Sequence, residues 1–101
     1  MDIRLSTTND YRYTIQAVCE WYGLKFYDIQ RHDRKRTVTT ARFLAIMLCR
    51  ELHGMSIMEL ADIFNRDPGS IKNALEVGHS KAHIQRLFRY LTETLRLKYR
   101  R

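Results

Sequence analysis

Two stretches of this chain carry side chains whose types and spacing suit the recognition of a polyanion. In the first, "RHDRKRTVTTAR" from Arg31 to Arg42, five Lys/Arg stand against one Asp, and Arg34, Lys35, Arg36 and Arg42 lead into an apolar-periodic run. Cations so placed can hold phosphates or enter a narrow minor groove. Read without a partner, the same run is a solvated, charged loop. In the second stretch, "NRDPGSIKNALE", Arg66 and Asp67 precede Gly69, Ser70, Lys72 and Asn73 on the outer side of a helix start. Asparagine can pair bidentately with adenine.

Other chemistry finds little support. His79 and His83 lie one turn apart and offer two ligands without a third, so solvated histidines are expected and no metal is assigned. There is no nucleophile elbow, catalytic carboxylate pair, Cys/His metal spacing or phosphate-cradling glycine loop, so neither an enzyme nor a cofactor is expected. Trp21, Tyr22, Phe26 and Tyr27 could form a stacking platform, although aromatics at helical spacing are more often core.

Composition narrows the class of partner. A chain of 101 residues, 45% hydrophobic, can build one domain with one modest core, here about residues 9–96 followed by a basic tail at 97–101. The formal net charge of +7 attracts polyanions, nucleic acid first among them. The longest apolar run, Phe43 to Cys49, is far shorter than a bilayer requires, and "MDIRLSTTND" lacks the apolar centre of a targeting signal. The expectation is a cytoplasmic, nucleoid-associated chain with no membrane partner. Cys19 and Cys49 fall on apolar helix faces and read as buried free thiols.

The apolar spacing is helical nearly throughout, which predicts an all-α fold of about six helices. The first runs from about Asn9 to Tyr22, buries Ile15, Val18 and Cys19, and stops at Gly23. "LKFYDIQ" is a short helix or turn with Phe26 and Ile29 inward. After the basic loop, a central helix from about Val38 to Leu52 puts Ala41, Leu44, Ala45, Leu48, Cys49 and Leu52 on one stripe, and His53-Gly54 ends it.

Ser56 and Glu59 form a capping box for a short helix, Ile57 to Phe64. Asn65-Arg66 makes the turn, Asp67 is the N-cap, and Pro68 suits the first helical position, where its missing N–H would be unpaired anyway. The helix from Pro68 to about Val77 turns Ile71, Ala74 and Leu75 inward and shows Gly69, Ser70, Lys72, Asn73 and Glu76. A final helix from Ser80 buries Ile84, Leu87, Phe88, Leu91 and Leu95. A capped helix, a tight turn and a second helix with a small, polar first turn match a helix-turn-helix. Its second helix enters a major groove N-terminus first, which excludes bulky apolar residues there.

On "EWYGLKFYDI", "RKRTVTTARFLAIMLCREL" and "SIMELADIFNRDPGSIKNA", the chain resembles the C-terminal DNA-binding domain of the bacterial replication initiator DnaA family, over about Ile15 to Leu91. The resemblance implies Trp-repressor-like packing. It also implies that Arg34 is the minor-groove arginine, that Arg42 is the basic residue opening the central helix, and that Asp67, Ser70 and Asn73 belong to the base-reading signature. Family members typically read Arg-Asp-His-Thr-Thr-Val where this chain has Arg66-Asp67-Pro68-Gly69-Ser70-Ile71. Pro68 and Gly69 thus remove two base-contacting side chains. That weakens sequence choice and spares phosphate affinity, since each good base contact contributes about 1–3 kcal/mol of discrimination.

The ATPase module of the family has no counterpart here. The chain is either an excised domain or, as Met1 suggests, a free-standing relative. The resulting expectation is double-stranded DNA binding in a DnaA-related replication or regulatory role, with helix 68–77 in the major groove and loop 31–42 on the backbone or minor groove. No small-molecule substrate is expected. The alternatives are non-specific DNA binding and a protein-interaction module that kept the fold and engages a replication or regulatory protein.

Overall fold

The computed structural model describes the backbone of residues 3–99 and the side chains of residues 11–97. The elements in chain order are α1 (Ile3–Tyr22), α2 (Phe26–Gln30), α3 (Arg36–His53), α4 (Ile57–Ile63), α5 (Pro68–Ser80) and α6 (Ala82–Tyr99). Among the described residues there is no strand. Leu44 to Cys49 are each at most 1% exposed, which takes in every side of α3 rather than one stripe. A helix apolar all round has to be enclosed, and α3 touches each of the other helices.

The all-α expectation holds, with shifted boundaries. α1 begins at Ile3 rather than Asn9, because no Pro or Gly interrupts the segment and the cap-type residues Ser6, Thr7, Thr8 and Asn9 stay within the helix. α3 starts at Arg36, so the basic loop is shorter than the expected span to Arg42. α5 continues to Ser80 and α6 begins at Ala82, displacing the expected break from Val77 and Ser80. Gly78 invites that break, yet it is buried without a positive φ. It is a contact point: a Cβ there would lie 2.5 Å from Met47 Sδ.

The helix-turn-helix owes its abruptness to a defined C-terminal motif. Asn65 takes φ 56, the Arg66 amide reaches Ala61 O at 2.9 Å, and the Asn65 amide reaches Asp62 O at 3.4 Å. This Schellman arrangement satisfies the last carbonyls of α4, and asparagine tolerates the left-handed backbone it needs. Upstream, the expected capping box opens α4: Glu59 N donates to Ser56 Oγ at 3.1 Å and Ser56 N donates to Glu59 Oε1 at 2.8 Å. Thr14, fully buried in α1, meets His53 Nε2 at 2.8 Å and ties α1 to the end of α3.

Arg42 and Arg66, both expected at the DNA, direct side-chain donors to backbone carbonyls of the fold. Arg42 is only 7% exposed. Its Nε donates to Ile29 O at 3.0 Å, and its Nη2 donates to Asp33 O at 3.1 Å and Arg31 O at 3.4 Å. Arg66 Nη1 donates to the carbonyls of Gln30, Phe64 and Asn65, and its Nη2 to Arg31 O at 2.6 Å. Helix-terminal carbonyls have no partner within their own helix, and α2 ends just where these guanidinium groups converge. Burial, and next the charge of Arg66, lower the pKa of Arg42, which stays protonated at neutral pH like any protein arginine. Both side chains thus brace the loop, Arg42 from within the fold and Arg66 from the surface, where it lines a groove with Asp67 and Ser70.

These contacts predict three outcomes. Gly78→Ala gains about 1 kcal/mol of helix propensity but meets Met47 in a filled core, where overpacking costs about 1–3 kcal/mol. Thermal unfolding should therefore show a lower Tm. Arg42→Met strands buried carbonyls and should destabilise by about 1.5–3 kcal/mol, with Arg42→Lys recovering only part because an ammonium lacks the fork. Burial pushes the Cys19 thiol up to about 11 and Cys49 up to about 12, so a thiol reagent at neutral pH should label neither before unfolding.

Candidate nucleic-acid interface

At the start of α5 the backbone of Asp67 is extended (φ -78, ψ 160) and Pro68 takes the first helical position. The carboxylate does not make the usual amide cap. Instead Asp67 Oδ1 accepts the Ser70 hydroxyl at 2.6 Å. That bond, more than the neighbouring amides, holds the Asp67 carboxyl below its ordinary pKa and keeps it an acceptor. Gly69 leaves room for this arrangement, since a Cβ there would press on Asp67 Oδ2 at 3.2 Å. Ile71 and Ala74 are buried beneath, while Gly69, Ser70, Lys72, Asn73 and Glu76 are all exposed.

The basic loop is shaped by its single acid. Asp33 Oδ1 accepts from the Lys35 amide at 2.9 Å, and Oδ2 pairs with Arg31 at 3.4 Å. The amide bond is the larger cause of a lowered Asp33 pKa. Arg34, Lys35 and Arg36 are exposed beyond this turn.

Two grooves connect the loop to the helix-turn-helix. One, of about 650 Å³, brings His32 together with Met58, Asp62, Asn65, Asp67 and Ser70. The other, of about 460 Å³, brings Arg34, Arg36, Thr39 and Thr40 together with Lys81 and His83. The loop therefore meets the first turn of α5 at His32 and the far end of α5 at Arg34 and Arg36. Sequence reasoning missed Lys81, Thr39 and Thr40, and no local signal marks them, because the groove exists only once α3 and α5 are packed together.

The remaining candidates lie elsewhere. His79 Nδ1 is 3.0 Å from Gln85 Oε1 and its ring stands edge-on to Phe88. Among the described residues, no group of three or more His, Cys, Asp or Glu is placed to hold a metal. Trp21 and Tyr27 are exposed rather than core, Trp21 lying 5.8 Å from Tyr90 between α1 and α6. Phe26 sits edge-on to Phe64. Of the expected basic tail, Leu97 is exposed and the side chains of residues 98–101 lie outside the described residues. Among the described residues no helix is long and apolar enough to cross a membrane.

Comparison with known proteins identifies the family of this fold. Residues 12–77, from the middle of α1 almost to the end of α5, match the bacterial dnaA protein helix-turn-helix family. The chain is 37% identical over 62 residues to chromosomal replication initiator protein DnaA 2 of Protochlamydia amoebophila, covering 61% of this chain and 14% of that protein. It is 33% identical over 87 residues to chromosomal replication initiator protein DnaA of Bifidobacterium animalis subsp. lactis, covering 83% of this chain and 15% of that protein. The chain thus spans about one-seventh of the length of these relatives. On its helix order, its capped turn and this match, the chain belongs to the bacterial DnaA helix-turn-helix family.

Proposed function

We propose that the chain binds duplex DNA with the first turns of α5 in the major groove and the basic loop on the backbone and the adjacent minor groove. The observation that carries this reading is the exposure of Gly69, Ser70, Lys72 and Asn73 on α5 beside a loop of exposed cations, Arg34, Lys35 and Arg36. Asn73 is the base reader, suited to adenine, and the ionised Asp67 suits a cytosine amino group. Lys72, Lys35 and Arg36 take phosphates, and Arg34 enters the minor groove. Arg42 and Arg66 are positioning residues.

The relatives are named as chromosomal replication initiators, and on that likeness the chain serves a replication or regulatory role at DNA. It carries out no chemistry and takes no small-molecule substrate. A second reading, sequence-tolerant coating of DNA, is favoured by the Pro68-Gly69 pair, which leaves the first turn of α5 with few side chains able to read bases.

Titration of a fluorescent duplex at several salt concentrations should give a log–log slope of about −3, about −0.9 for each phosphate contact of Lys72, Lys35 and Arg36. Selection from a random duplex pool should yield a consensus, and its absence would favour coating. On the selected site, Asn73→Ala should cost about 1–3 kcal/mol of discrimination at one base pair while sparing affinity for unrelated duplexes. Arg34→Ala should weaken binding to every A/T-rich duplex tested. No binding at low salt would overturn the proposal.

A further inference from the structure

We infer that the groove between the start of α3 and the α5–α6 junction is a phosphate clamp for the DNA strand separating the two contacted grooves, with Lys81 as its far jaw. The inference rests on the reading above. If α5 occupies the major groove and Arg34 the neighbouring minor groove, one sugar–phosphate strand has to pass between them. That path is assigned to the cleft of about 460 Å³, bounded by Arg34 and Arg36 on one side and by Lys81 and His83 on the other.

Beside the apolar Phe43 and Ile84, its polar lining has the chemistry of an anion site. Thr39 and Thr40 add hydroxyl donors beside the cations, and no lining residue is a carboxylate. Among the described residues, no ion pair engages Arg34, Arg36 or Lys81. Like charges gathered on one groove repel one another, and a run of phosphates relieves that repulsion while releasing its own counterions.

The placement of Lys81 follows from the local backbone. It is the C-cap of α5, with an extended backbone (φ -95, ψ 120) and its amide bonded to Gly78 O at 3.3 Å. The chain leaves the helix at this residue, and its exposed side chain joins the groove rather than the outer face of α5.

The test compares duplex binding by the wild-type chain, Lys81→Ala, Lys81→Glu and a charge-matched control, Lys25→Glu. Lys25 is exposed in a different groove, between α1, α2 and α4. Circular dichroism confirms that each variant is folded. Lys81→Ala should reduce the salt slope by about 0.9, the value of one phosphate contact, and leave the selected consensus unchanged. Lys81→Glu should bind at least about tenfold more weakly than Lys25→Glu at low salt. If the wild-type chain binds and Lys81→Glu matches Lys25→Glu, the clamp is wrong and the α5 reading stands. A changed consensus with an unchanged slope also overturns the clamp. If the wild-type chain does not bind duplex at all, both ideas fall together.

Discussion

The candidate interface depends on how one short helix ends. α2 is five residues long, too short to stand on its own hydrogen bonds, and its closing carbonyls would be stranded against the body of the protein. Arg42 and Arg66 reach these carbonyls from two directions, one from the central helix and the other from the turn of the helix-turn-helix. Gln30 answers across the junction by donating to Ile63 O at 2.9 Å. The basic loop begins at the same point, so its path is fixed by the partners of its first residues rather than by its own sequence.

This arrangement places two guanidinium groups near one another, with the Asp33 carboxylate acting on Arg42, and each has its pKa lowered chiefly by burial. What offsets the cost is the carbonyl end of α2, a collar of partial negative charge whose multiple acceptors suit the planar fork of arginine. Because this compensation is dipolar, it cancels none of the net positive charge. Arg34, Lys35 and Arg36 therefore project beyond a loop whose one carboxylate, Asp33, is committed to shaping it.

Helix order, the stop at Gly23, the Ser56–Glu59 box and the Asp67-Pro68 start were legible in the sequence, because each is a local rule acting over a few residues. The roles of Arg42 and Arg66 were not. An arginine beside a basic run has the same appearance whether it meets a phosphate or a carbonyl, and Arg42's acceptors lie on a preceding element, from Ile29 to Asp33. The end of α5 was not legible either: Gly78 sits inside a continuing helix, and only the packing of Met47 shows why a glycine is needed there. The exposed face of α5 was readable because its alternation with Ile71 and Ala74 is periodic. Lys81 lies outside that periodicity, and its neighbours come from another helix.

The enclosure of α3 has a further bearing on any duplex seated at this surface. Both the loop and α5 are anchored on a helix whose middle is in contact on every side, so their separation is set by a packed interior that does not stretch. If α5 and the loop dock as proposed, such a molecule would act as a fixed gauge for groove spacing. A duplex bound in that way would have to supply the adjustment through its own twist and bend, which would favour steps that deform cheaply even where no side chain touches a base.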